Sequence, residues 1–86
     1  MYYRRDYTQR DDIVEAVKFN RYNHNVMRDF CGDKWTRVGC EGIVLLNVGE
    51  QRVVNGDYIV KNKQGNLAYY KPDAFRERFM LASEIL

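Results

Sequence analysis

The stretch Val54-Asn55-Gly56-Asp57-Tyr58-Ile59-Val60-Lys61 combines a tight-turn signal with a run of β-branched and aromatic residues. An Asn-Gly pair is favoured where a turn needs positive φ, because both residues tolerate that conformation. The residues after the turn are of the types that are common in strands. We therefore predict a hairpin in which residues 52–54 and 57–61 are strands and Gly56 has a positive φ.

A second informative stretch is Tyr69-Tyr70-Lys71-Pro72-Asp73-Ala74-Phe75. Residues 67–70 are predicted to be the last strand of a meander. Proline fixes φ and is favoured at the first position of a helix, so Pro72 predicts a single helical turn with Phe75 pointing inward. The tail, residues 76–86, fits either a last strand or a short helix.

Further strands are predicted upstream. Residues 13–19 are rich in β-branched and aromatic types, and Glu15 is expected to reach water at an edge or an end of that strand. Residues 42–48 are apolar on both faces, which is typical of a central strand. A short strand is predicted around Trp35, at residues 34–38. Turns are predicted at residues 39–42, 49–51 and 62–66.

One helix of about two to three turns is predicted between the strand that contains Glu15 and the strand that contains Trp35. Asn23 or Asn25 caps its start, because a short side-chain acceptor satisfies an unpaired N–H group there. Gly32 suits the left-handed position that ends a helix. The apolar stripe of this helix is supplied, at helical spacing, by Val26, Met27 and Phe30.

These elements predict an α+β fold. A curled antiparallel sheet of about five or six strands lies over one short helix, either open or as a small, partly open barrel that hides its edges. The 86 residues make one domain, residues 1–86, because a chain of this length has no room for a second core. Residues 1–12 are predicted to be an N-terminal arm or an edge strand.

Composition and charge exclude several classes of protein. The net charge is +2, from 14 basic and 12 acidic side chains, which argues against a general binder of duplex DNA. No apolar run is long enough for a membrane span or a signal peptide. Cys31 and Cys40 lack partner histidines at metal-ligand spacing, and two reduced thiols suit the cytoplasm. We expect no metal and no cofactor.

An enzymatic function is not predicted either. A nucleophile–base pair would need Cys31 or Cys40 beside His24, and the simpler interpretation of Cys31 is a small buried thiol. His24 is then expected to be an exposed histidine near the helix cap. The acidic pair Asp11-Asp12 has no second cluster with which to complete a metal site, and no phosphate-binding glycine motif is present.

Many of the 12 aromatic residues lie next to basic ones, which favours a binding function. An aromatic ring beside Arg or Lys suits a nucleobase with its phosphate, and it also suits a protein interface. Adjacent strand residues face opposite sides, so we place Tyr69 outward beside the Pro72 turn and Tyr70 in the core. The candidate partner-binding residues are Tyr69, Lys71, Arg76, Trp35, Arg37, Tyr2, Tyr3, Arg4 and Arg5.

The order of several segments resembles a family of small phage and prophage proteins of unassigned function. These segments are Ile13-Val14-Glu15-Ala16-Val17, Phe30-Cys31-Gly32, Asn55-Gly56-Asp57-Tyr58-Ile59-Val60-Lys61 and Lys71-Pro72-Asp73-Ala74-Phe75. The chain departs from that family at Asn62, where glycine is usual, and at Tyr70, where cysteine is common. The resemblance implies a small accessory protein in the cytoplasm of an infected bacterium.

The leading hypothesis is therefore a non-enzymatic protein that acts by binding in counter-defence. It would inhibit or sequester a host immune component, such as a nuclease complex or a nucleotide immune signal, so its partner is a host protein or a small nucleotide ligand. One alternative is a nucleic-acid-binding module that uses the aromatic and basic residues. Another is a structural or virion-associated subunit that forms a homo-oligomer through edge strands.

Overall fold

The computed structural model of the protein describes residues 2–4 and 13–81. The described strands are β1 (Tyr2–Arg4), β2 (Ile13–Lys18), β3 (Trp35–Val38), β4 (Glu41–Leu46), β5 (Gly49–Val53), β6 (Tyr58–Lys61), β7 (Leu67–Tyr70) and β8 (Phe79–Leu81). The described helices are α1 (His24–Cys31) and α2 (Pro72–Arg78), and a 3₁₀ turn, Gly32–Lys34, follows α1. Neither helix is long and apolar enough to cross a membrane.

The fold is α+β, as predicted, but its strands form two antiparallel sheets instead of one. The first sheet is built on β7-β6-β2 and is extended by β1 and β8, in the order β7-β6-β2-β1-β8. The second sheet has the order β3-β4-β5. Within the described residues neither sheet is closed or strongly curled, so the predicted curled meander and partly open barrel are wrong.

The Asn55-Gly56 turn shows why one meander does not form. Gly56 has the predicted positive φ, 99°. The turn, closed by a bond from the Asp57 N–H to the Val54 carbonyl (3.0 Å), leads from β5 in the second sheet to β6 in the first. The Gly56 N–H also donates to the Phe19 carbonyl at the end of β2 (2.8 Å). The predicted hairpin is therefore wrong, because β6 pairs with β2 and β7 and not with β5.

The first sheet is covered on both faces, and the described residues form two apolar clusters, one on each face. Ile59 and Val60 are neighbours in β6 and belong to different clusters, because successive strand residues face opposite sides. The buried residues of the cluster between the sheets and α1 are Phe19, Met27, Cys31, Trp35, Val44, Val53 and Ile59. Those of the cluster under α2 are Val14, Val60, Phe75 and Phe79.

The second sheet covers the first with only one of its faces. β4 is central, as predicted, but its outer face is open, and Leu45 is 49% exposed. Apolar residues on both faces of β4 therefore accompany a central position in the sheet without burial of both faces. The turn between β4 and β5 falls at Asn47 and Val48 instead of residues 49–51, and Val48 is 95% exposed.

Helix α1 has the predicted two turns and ends at Gly32, which has a φ of 66°. Asn23 stands at the N-cap, but its side chain does not bond to a helical N–H. It accepts from the Asn20 N–H (3.0 Å) and donates to the Lys18 carbonyl (2.9 Å), which ties the helix start to the end of β2. The buried stripe of α1 is His24, Met27 and Cys31, whereas the predicted member Val26 is half exposed.

The Pro72 prediction is confirmed and extended. Pro72 starts α2, and Phe75 is buried with its ring stacked on that of Tyr58 at 3.9 Å between centroids. The helix continues to Arg78, and β8 follows it directly, so the tail contains both of the structures that its sequence allowed. β1, part of the predicted arm, pairs with β2 on one side and with β8 on the other.

Candidate functional site

A cleft of about 260 Å³ opens where the end of α1 meets the ends of β6 and β7. We call it the lysine cleft. Its lining residues are Asp29, Phe30, Cys31, Gly32, Lys34, Lys61, Gly65 and Leu67. They come from distant parts of the chain, so the cleft exists only in the folded protein.

Local structure places each of these side chains. Gly32 turns the chain after α1 with φ 66° and ψ −140°, a conformation nearly confined to glycine, and so brings Lys34 to the cleft. Lys61 ends β6, opposite Leu67 of β7 in the strand register. Gly32 and Gly65 lie at an open part of the rim, because a Cβ built at either residue would have no atom within 4 Å.

Positive charge and an aromatic ring meet in the lysine cleft. The Lys61 ammonium lies 4.4 Å from the centroid of the Phe30 ring, within the range of a cation–π contact. Burial raises the pKa of the Cys31 thiol to about 11, while the charges of Lys61 and Lys34 act in the opposite direction. Lys34 and Lys61 line the same cleft as this thiol, which is neutral at physiological pH and forms an uncharged wall.

Cys31 and His24 do not form a nucleophile–base pair. They stand seven residues apart on α1, which separates them by about 10 Å along the helix axis. His24 is 8% exposed, so the prediction of an exposed histidine is wrong, whereas that of a buried Cys31 is confirmed. Burial, followed by the charges of Arg37 and Arg28, lowers the pKa of His24 and keeps it neutral. No group of three or more metal-ligating side chains occurs among the described residues.

Trp35 and Arg37, two of the predicted binding residues, lie in a different sheet from Tyr69. Trp35 is 6% exposed and belongs to the core, where its ring lies against the backbone of Gly42. Arg37 is exposed and donates to the Gly39 carbonyl (3.1 Å). Both residues are in β3, at the edge of the second sheet, so they do not lie on a strand that neighbours β7.

The two tyrosines of β7 point in opposite directions, as predicted, but each is half-buried against a different cluster. The Tyr69 hydroxyl donates to the carboxylate of Asp57, a residue that is 3% exposed (2.7 Å). The Tyr70 ring meets Phe79 edge to face. The expectation of an outward Tyr69 is wrong because both faces of the first sheet are covered.

The remaining predicted binding residues lie elsewhere on the surface or outside the described part. Lys71 is exposed. Arg76 is exposed and forms an ion pair with Asp73 (2.7 Å). Tyr2, Tyr3 and Arg4 form β1, and Arg5 lies outside the described residues. Their role in binding stays a prediction.

The sequence did not predict that Lys34 and Lys61 line the same cleft. They are separated by 27 positions and stand on different elements, so no local motif joins them. The one local signal was the Gly32-Asp33-Lys34 turn directly after a helix that carries Phe30.

The free energy of unfolding should fall at alkaline pH because of the ionisation of Tyr69. Burial, then its bond to Asp57 and the carboxylate charge, raise the pKa of Tyr69 from 10.0 to about 12. Above pH 10 the unfolded chain therefore loses this proton while the folded protein keeps it, which favours unfolding. We expect urea titrations to show a loss of stability between pH 10 and 12 that is smaller in Tyr69→Phe than in the wild type. An equal loss in both proteins would contradict the assignment.

Comparison of the chain with protein-family models, with curated proteins and with solved structures finds no match.

Proposed function

We propose that the protein is a small binding module and that the lysine cleft takes an anionic ligand of the nucleotide class. The observation that supports this most directly is the Lys61 ammonium over the Phe30 ring, in a cleft that Lys34 also lines. Two ammonium groups suit a phosphate, and an aromatic face suits a nucleobase. A nucleotide would be held with its base on the Phe30 ring if the Lys61 ammonium moves from the ring face to the phosphate.

The size of the cleft limits the ligand. Its volume of about 260 Å³ falls just below the range of about 300–1,000 Å³ that is usual for ligand pockets. One nucleotide unit fits this volume better than a longer strand, whose binding needs a charged groove that tracks several phosphates. The net charge of +2 agrees with a small ligand and disfavours an extended nucleic acid.

The resemblance to small phage and prophage proteins suggests a biological role for such binding. A protein that acts without catalysis works by occupying its target, and sequestration of a nucleotide immune signal requires only a site that holds the nucleotide. Among the hypotheses drawn from the sequence, this one uses the chemistry of the lysine cleft. Inhibition of a host nuclease complex would instead require an extended protein interface.

Charge removal in the cleft tests this proposal. We expect Lys61→Gln to weaken the binding of mononucleotides and cyclic dinucleotides at least about tenfold, or 1.4 kcal/mol, in isothermal titration calorimetry. Lys61→Arg should retain most of the affinity, because it keeps the charge near Phe30. Asp29→Asn should strengthen binding, because it removes the carboxylate that repels an anion in the same cleft.

Lys71→Gln is the matched control, since Lys71 is exposed and does not line the cleft. It should leave the affinity within about twofold of wild type. Equal losses in the Lys61→Gln and Lys71→Gln proteins would show a general charge effect and would exclude the cleft as the site. A wild-type protein that binds none of these nucleotides would refute the nucleotide proposal.

A further inference from the structure

The free edge of β5 carries a charge pattern that is complementary to itself. β5 (Gly49–Val53) stands at the end of the order β3-β4-β5, with no neighbour beyond it among the described strands. Glu50 and Arg52 flank Gln51 and share the exposed outer face of the sheet. The side chain of Arg52 is 72% exposed, even though it also bonds to Glu41. The edge therefore presents one negative and one positive charge, symmetrically placed about Gln51.

The backbone of β5 is able to accept a further strand at this edge. The Gln51 side-chain amide donates to the Arg52 carbonyl (2.9 Å), which indicates that this carbonyl faces the open edge and not β4. In an antiparallel strand the N–H and C=O groups of one residue point the same way, and residues two apart point alike. Glu50 and Arg52 therefore both direct backbone groups outward.

We infer that this edge pairs with the same edge of a second copy of the chain, antiparallel and centred on Gln51. In that register Glu50 of each copy lies opposite the partner's Arg52, as a hydrogen-bonded pair with opposite charges. The two Gln51 residues face each other at the two-fold axis, as a self-complementary interface requires. The two three-stranded sheets then form one continuous six-stranded sheet.

The same register covers an exposed apolar residue. Val48 is 95% exposed in the turn before β5. A register in which residue 50 meets the partner's residue 52 also places residue 48 opposite the partner's residue 54, which is Val54. Two valines are thus brought together at each end of the paired strands. Burial of both is favourable, because apolar surface is removed from water.

The other edge strands among the described residues do not carry charges of opposite sign. β3 (Trp35–Val38) contains Arg37 and no acidic residue, and neither β7 (Leu67–Tyr70) nor β8 (Phe79–Leu81) contains a charged residue. Pairing of any of these three strands with its own copy therefore joins no opposite charges. A strand of five residues makes a small interface, so the dimer should be weak and depend on concentration.

Charge swaps test the dimer in analytical ultracentrifugation, at protein concentrations from about 1 µM to about 1 mM. All variants carry Glu41→Gln, so that changes at Arg52 do not alter its pairing within one chain. We expect both the wild type and the Glu41→Gln protein to dimerise within this range, the variant more tightly because Arg52 then has no competing carboxylate. Addition of Glu50→Arg should raise the dissociation constant at least about tenfold, because two pairs of like charges then face each other across the dimer. Addition of both Glu50→Arg and Arg52→Glu should restore the dimer.

A disulfide trap provides an independent test of the register. Gln51→Cys, in a Cys40→Ser background, places two thiols at the axis with Cα atoms about 4.5 Å apart, within the span of a disulfide. Mild oxidation should yield a covalent dimer, whereas Asn47→Cys in the same background should not. A wild-type protein that stays monomeric, a swap that fails to restore dimerisation or equal cross-linking at both cysteines would overturn the inference. None of these outcomes bears on the nucleotide proposal.

Discussion

Gly42→Ala is expected to lower the free energy of unfolding by about 3 kcal/mol, the upper end of the usual cost of overpacking. A Cβ at this position would lie 2.2 Å from two carbon atoms of the Trp35 indole. The indole is 6% exposed and packs near Phe19 and His24, so it has little room to move away. Chemical denaturation followed by circular dichroism measures this loss, which is large beside the stability of about 5–15 kcal/mol that is typical of a domain.

A double-mutant cycle separates this clash from other effects of the extra methyl group. Trp35→Phe shortens the ring that lies against Gly42, so the same Gly42→Ala change should cost at least about 1.5 kcal/mol less in the Trp35→Phe protein. Gly39→Ala does not serve as a control, because Gly39 has a positive φ of 62°. Additive losses in the cycle would show that the indole does not require glycine at residue 42.

Asp57→Ala is expected to cost about 3 kcal/mol of stability. The buried Asp57 carboxylate oxygen Oδ2 accepts from the Val54 N–H (3.0 Å) and from the Tyr69 hydroxyl (2.7 Å). Alanine leaves both donors without this acceptor, and an unsatisfied buried donor costs about 1–3 kcal/mol. It also removes the side chain that holds the turn between the two sheets. Urea denaturation at pH 7 measures the loss.

Asp57→Asn is the matched variant, because its amide oxygen is able to accept both bonds. We expect it to cost less than half as much as Asp57→Ala. In a second cycle, Tyr69→Phe should be less destabilising in the Asp57→Ala background than in the wild type, since the hydroxyl has already lost its acceptor. Equal losses in the asparagine and alanine proteins would show that hydrogen bonding at Oδ2 does not account for the stability that Asp57 provides.

Local chemistry in the sequence predicted local geometry well. Pro72 starts a helix with Phe75 inward, Gly56 has a positive φ and Gly32 ends α1, because φ preferences depend mainly on the residue itself. Asn62 supports its turn through its side chain. Its side chain accepts the N–H groups of Gln64 (3.0 Å) and Asn66 (2.9 Å), so the turn forms without a positive φ at residue 62.

Nonlocal features were the ones that sequence reasoning missed. The sequence predicted that Tyr69 and Tyr70 face opposite sides of their sheet. It did not predict that both sides are covered, because this depends on how α2 and the second sheet pack. The sequence also predicted the turn at Gly56. It did not predict that this turn connects the two sheets, because that depends on which strand pairs with β6. The lysine cleft is also nonlocal, because Lys34 and Lys61 come to line one cleft only after the two sheets pack together.

The position of β1 between β2 and β8 constrains when the protein completes its fold during translation. β8 begins at Phe79, 75 residues after β1 ends at Arg4, so β1 lacks one of its two partners until nearly the whole described chain has been synthesised. At elongation rates of about 5–20 residues per second, this wait lasts roughly 4–15 s. During that interval a nascent β1 exposes backbone groups to neighbouring chains on the same polysome. Slower synthesis between β1 and β8 should therefore prolong this exposure and increase misassembly.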